Sequence, residues 1–128
     1  MASVLFLAGA VLTDNPSQAQ DACGEGPRSY KLMIHVSDNK PTTVTHQGDD
    51  ASDFYVCNGD DVEWQLVGSG KQFWLDFIDG APFSGGAKKN SNNNGKISVV
   101  IDGSAESYKY DIGLVDGGVL DPKIIIRD

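Results

Sequence analysis

Tyr108-Lys109-Tyr110-Asp111-Ile112-Gly113-Leu114-Val115-Asp116-Gly117-Gly118-Val119-Leu120-Asp121-Pro122-Lys123-Ile124-Ile125-Ile126 decides how this chain is read. Tyr108, Tyr110, Ile112 and Leu114 recur at every second position, the period of a strand with one buried face. Gly117-Gly118 is a turn signal, and Asp121-Pro122 interrupts pairing before a last strand that buries Ile124 and Ile126. The stretch predicts closing strands of a β-sheet protein.

The same period runs backwards through the chain. Tyr30, Leu32, Ile34 and Val36 alternate with Lys31, Met33, His35 and Ser37. Residues 42–46 are rich in β-branched side chains and predict a short edge strand, followed by a polar loop over 47–53. Phe54-Tyr55-Val56-Cys57 opens a strand pair, and Asn58-Gly59 is a hairpin signal. Val62, Trp64 and Leu66 form one face, as do Phe73, Leu75 and Phe77. Ile97, Val99 and Ile101 follow. Residues 84–95 offer little to bury and predict a loop, with room for one turn of helix over 85–91. These strands number seven to eight, at the spacing of a sandwich. An immunoglobulin reading competes, but it wants a tryptophan between the cysteines, and Trp64 follows both.

With 128 residues the chain is long enough for one core. Hydrophobic residues make up 40%, which argues against disorder. The net charge of −8 repels phosphate backbones and makes nucleic acid a poor partner. Val4-Leu5-Phe6-Leu7-Ala8-Gly9-Ala10-Val11-Leu12 is too short to span a bilayer and fits a signal-peptide core. Ser17-Gln18-Ala19 supplies a small-residue cleavage site. Residues 1–19 therefore read as a signal peptide and 20–128 as the mature domain, periplasmic or extracellular. No basic residue precedes the apolar run, and the competing reading is a first strand kept in the fold. An even cysteine count in an exported chain predicts a Cys23–Cys57 disulfide.

The segment Val56-Cys57-Asn58-Gly59-Asp60-Asp61-Val62-Glu63-Trp64 resembles the "v-x-x-G-D-x-V-x-W" motif of cupredoxins. Tyr108-Lys109-Tyr110 resembles the aromatic strand before that family's ligand loop. Asp121-Pro122-Lys123-Ile124-Ile125-Ile126 is similar to the terminal "D-P-x-I-x-V" of the subgroup lacking copper ligands. The resemblance covers 54–128, and more loosely 30 onward. It implies an all-β, cupredoxin-like Greek-key β-sandwich whose core tryptophan is Trp64. The family's ligands do not carry over. Its first histidine falls at Lys71-Gln72-Phe73, and its Cys, second His and Met fall in 111–120, which holds Asp111, Val115, Val119 and Leu120 at the nearest positions. A type-1 copper site is therefore not expected, and no cofactor is.

The remaining candidates are scattered. His35 and His46, on adjacent predicted strands, form with Asp49 and Asp53 the one metal set the sequence offers. Asp49, Asp50, Asp60 and Asp61 otherwise read as solvated loop acids. Gly68-Ser69-Gly70 lacks the G-x-S-x-G frame, and Gly85-Gly86-Ala87-Lys88-Lys89 lacks the G-K-[ST] of a phosphate loop. Trp74 and Tyr55 fall on the faces opposite Trp64 and Phe73, where an aromatic ring stacks on a sugar or a partner protein. The expectation is an exported, non-catalytic binding or assembly module with a protein or carbohydrate partner and no membrane span. It uses Trp74, Tyr55 and the 84–94 loop. The alternative is a periplasmic metal-handling protein built on His35, His46 and the neighbouring aspartates.

Overall fold

A computed structural model describes Cys23 and residues 26–68, 72–92, 94–115 and 117–127. Residues 1–19, read above as a signal peptide, lie outside it. The described residues form eleven strands in two sheets. In chain order they are β1 (Ser29–Ser37), β2 (Lys40–His46), β3 (Asp49–Asp50), β4 (Asp53–Cys57), β5 (Asp61–Val67), β6 (Phe73–Phe77), β7 (Lys88–Asn90), β8 (Lys96–Val100), β9 (Ser107–Leu114), β10 (Val119–Leu120) and β11 (Lys123–Arg127). Eight have five residues or more, and the additions to the sequence-based count are β3, β7 and β10.

The first sheet runs β8-β5-β1-β2-β3, and the second runs β4-β11-β9-β6-β7 with β10 beside β9. β1 lies parallel to β5, so that Leu32 sits beside Trp64 and Ile34 beside Leu66. β4 lies parallel to β11, with Phe54 beside Ile124 and Val56 beside Ile126. The other ladders are antiparallel. The two-residue period survives in burial: Val62, Trp64, Leu75, Tyr110, Ile112 and Ile124 are fully buried between the sheets. Each such large apolar side chain contributes about 1.5–3 kcal/mol relative to exposure.

The centre of the core is aromatic. The Trp64 indole Nε1–H donates to the Tyr110 hydroxyl at 3.1 Å. Tyr110 stacks on Phe77 with centroids 4.7 Å apart, and Phe83 meets Phe77 edge-on at 5.0 Å. Burial pushes the Tyr110 phenol above its ordinary range, against the pull of the Trp64 hydrogen bond.

The Asn58-Gly59-Asp60 turn shows what its motif is for. Gly59 takes φ of 95°, a conformation that favours glycine. Asp60 is 1% exposed, and its carboxylate accepts the Cys57 N–H at 2.8 Å and the Arg28 N–H at 2.9 Å. It thereby ties the turn to the segment entering β1. The Cys23–Cys57 disulfide ties the same entry segment to β4. At the other end of the chain, the Pro122 carbonyl accepts the Tyr110 N–H at 3.1 Å and separates β10 from β11 along one side of β9. Proline has no N–H to give a ladder, so the break falls there.

Asn58-Gly59 does not close a hairpin, because β4 and β5 on either side of it lie in different sheets, and Asp60, expected to be solvated, is buried. Three further expectations change. Residues 84–95 are not all loop: Lys88–Asn90 pairs with β6 as β7, and no helical turn forms there. The strand expected over 42–46 begins at Lys40 and is not the edge, because Asp49–Asp50 pairs outside it. The polar loop over 47–53 holds a fully buried residue, Ala51, whose N–H bonds the Val44 carbonyl. In each case a ladder partner supplied by tertiary structure satisfied backbone groups that local composition left open. Among the described residues no helix is long and apolar enough to cross a membrane.

Candidate functional site

The end of the sandwich where the cupredoxin resemblance puts its ligands is closed by backbone. Gly117 and Gly118 fold back on Leu114 through Gly117 N–H to Leu114 O (3.1 Å) and Leu114 N–H to Gly118 O (3.4 Å). They also dock on the β1–β2 turn, where the Gly118 N–H reaches the Asn39 carbonyl at 3.4 Å. A Cβ on Gly117 would fall 2.3 Å from that carbonyl, so only glycine fits. Val115 and Val119 project into solvent. Both cysteine sulfurs of the chain are joined in the Cys23–Cys57 disulfide. Cys57 sits level with Arg127 and so just beyond the Ser107 end of β9, roughly 30 Å along the strand direction from Leu114. A type-1 copper centre needs a thiolate and two imidazoles in one trigonal set, and these residues do not fit one.

The two histidines are placed apart. His35 faces outward from β1, and its Nε2 lies 2.9 Å from the Thr45 hydroxyl. His46 shares the side of β2 that buries Val44. Its ring meets Tyr30 edge-on at 5.5 Å and Phe54 at 5.1 Å. Burial holds the His46 imidazole below the usual histidine range, although the Asp49 carboxylate across the ladder pulls the other way. Asp49 and Asp53 are exposed, on different sheets. Among the described residues no group of three or more His, Cys, Asp or Glu side chains is placed to hold a metal ion.

Trp74 and Tyr55 do face the same way. Register puts both on the outer face of the second sheet, Tyr55 beside Ile125 on β11 and Trp74 beside Gly113 on β9. They are three strands and six β9 residues apart, about 25 Å, so they form two spots rather than one patch. The Tyr55 ring is covered by the Arg127 guanidinium, 5.1 Å from its centroid.

Trp74 is half-buried, and residues that the sequence reading passed over build its surroundings. Gly113 lies beneath it: an added Cβ would stand 2.0 Å from Cζ2 and 2.3 Å from Cε2 of the indole. Asn90 is its ladder partner on β7, and Lys88 Nζ stands 5.2 Å from the ring centroid. Asp76 follows on the same face of β6, opposite Asp111 on β9. Partial burial, then the Asp121 and Asp76 carboxylates, raise the Asp111 carboxyl above its ordinary range, against Lys109. Within the 84–94 stretch, Lys88–Asn90 lies beside Trp74 as a strand rather than a loop. An isolated glycine in a strand marks a close approach, and Gly113 was the available signal.

No family model matches the chain, and no curated protein does. Among solved structures it is similar to a Sinorhizobium pseudoazurin, at 15% identity over 79% of this chain and 75% of that one, with a TM-score of 0.50. It is also similar to amicyanin from Paracoccus versutus, at 15% identity over 92% and 96% of the two chains, with a TM-score of 0.47. Identity this low speaks to architecture alone. The fold is a cupredoxin-like β-sandwich, in which the two cysteines form a cystine at the end away from Gly117 and Gly118.

Proposed function

We propose that this chain is an exported, non-catalytic binding module that holds a protein or carbohydrate partner on the outer face of its second sheet, around Trp74. One observation carries the reading: a large, partly exposed indole on the outer face of a sheet is laid on Gly113, under the exposed Lys88 side chain, held by backbone rather than by a core. A tryptophan in that setting presents aromatic area at low entropic cost, the property of binding hot spots. The surroundings are an open sheet surface, suited to holding a partner rather than to excluding water from a reaction. The cystine supports export, because such bonds persist in oxidising compartments.

Cell fractionation and crosslinking test the reading together. The native chain is expected in the envelope or culture fluid with its disulfide formed, and its crosslinked species are expected to fade in Trp74→Ala. Retention in the cytosol with two alkylatable thiols would remove the export claim. Crosslinks indifferent to Trp74→Ala would move the contact surface elsewhere.

A further inference from the structure

The Trp74 face admits two classes of occupant, and the geometry points to a neutral oligosaccharide. This inference rests on the binding-module reading and narrows it. A pyranose has a C–H-rich face and a rim of hydroxyls that both donate and accept. The C–H face stacks on an aromatic plane that is held parallel to the protein surface. Gly113 enforces that orientation here, since any side chain at 113 would lift the indole off the sheet.

The rim groups match the hydroxyls. Asn90, directly across from Trp74, offers an amide that donates and accepts. Asp76 and Asp111 offer acceptors, and the Lys88 ammonium offers donors within reach of the ring. Lys88 is exposed, and its long side chain is free to swing from above the ring to the rim. Mixed donors and acceptors around one flat ring suit a polyol. A protein interface centre is instead depleted of charge, and covering Asp76, Asp111 and Lys88 with a protein surface strands charges unless each meets a partner. The local balance, the Asp76, Asp111 and Asp121 carboxylates against the Lys88 and Lys109 ammoniums, also selects among sugars. It disfavours uronic or phosphorylated glycans and leaves neutral hexoses.

Titration of the exported protein with cellohexaose, laminarihexaose, maltohexaose and chitohexaose tests this by calorimetry and tryptophan emission. Trp64 is fully buried, so a ligand-dependent change in quenching by acrylamide reports Trp74. At least one hexaose is expected to bind. Trp74→Ala is expected to weaken that binding tenfold or more, and Trp74→Phe to retain part of it. Gly113→Ala is expected to weaken it while leaving far-UV circular dichroism unchanged. Absence of binding by all four hexaoses at millimolar concentration overturns the inference, as does binding that survives Trp74→Ala. A protein partner whose crosslinking depends on Trp74, with no hexaose bound, overturns the sugar and leaves the binding module standing. Failure of both experiments removes the face altogether.

Discussion

The indole of Trp74 lies across Gly113 of the neighbouring strand so closely that a Cβ on the glycine would stand 2.0 Å from Cζ2. The pair is a cross-strand contact in which an aromatic ring covers the backbone that a glycine leaves bare. It stabilises a weak point of β9 and orients the ring. Gly113→Ala is expected to cost about 1–3 kcal/mol, the range of overpacking, because Trp74 must move. Denaturant melts measure the loss, and acrylamide quenching reports the freed ring. Trp74→Ala removes a half-buried side chain and is expected to cost about 1 kcal/mol.

Trp64 gives the opposite result. It is fully buried and hydrogen-bonded to Tyr110, so Trp64→Ala is expected to cost about 3–5 kcal/mol. Tyr110→Phe keeps the ring but orphans the indole N–H, at about 1–3 kcal/mol. The raised Tyr110 phenol adds a pH signature. Its stabilisation is fully present below about pH 10, the unfolded value, and is lost as pH rises beyond it toward the folded value. Urea melts from pH 8 to 11, compared between wild type and Tyr110→Phe, isolate that slope.

Asp60 is a bracket between two chain segments. Its carboxylate accepts from Cys57 and Arg28, and hydrogen bonds to a charged group contribute about 1.5–3 kcal/mol each. Asp60→Ala is expected to lower stability by about 3 kcal/mol in chemical unfolding. Asp60→Asn is expected to lose less, since one amide oxygen still accepts. Equal stability of Asp60→Ala and wild type would show that the buried turn holds without it.

The Cys23–Cys57 bond spans 34 residues. The chain-entropy relation gives about 3–4 kcal/mol for such a loop. Cys23→Ser/Cys57→Ser is expected to unfold at correspondingly lower denaturant, and the native protein to resist alkylation until reduced. Intact mass after iodoacetamide without reductant checks the second point.

His46 predicts acid sensitivity. Burial between Tyr30 and Phe54 lowers its folded value below the ordinary 6.5 of histidine. Its contribution is therefore fully present above about pH 6.5 and is lost as pH falls through the folded value. His46→Phe keeps the ring contacts and removes the proton. The stability difference between that variant and wild type is expected to change between pH 7 and 5. A constant difference would place the imidazole in water.

Much of the sandwich was legible because burial alternates with strand period. Trp64, Phe73, Leu75, Tyr110, Ile112 and Ile124 were each assigned to the inner face from local sequence, and each is buried there. The cysteine pairing was legible from an even count in a chain read as exported, and the Gly59-Asp60 motif from its resemblance. Trp74 was placed on the outer face by parity alone.

Tertiary structure decided what lies next to what. Lys88–Asn90 has no apolar period of its own and becomes a strand because the open edge of β6 supplies its hydrogen bonds. His35 and His46 lie on adjacent strands, but odd and even positions turn their rings to opposite sides of the sheet. Trp74 and Tyr55 share a face, and strand order separates them. Gly113, Lys88 and Asn90 gather around Trp74 from two other strands, none near it in sequence. A strand's own residues determine which side chains turn inward, because the pleat alternates them at every step. Neighbours across the ladders depend on register between segments tens of residues apart, which no local pattern encodes.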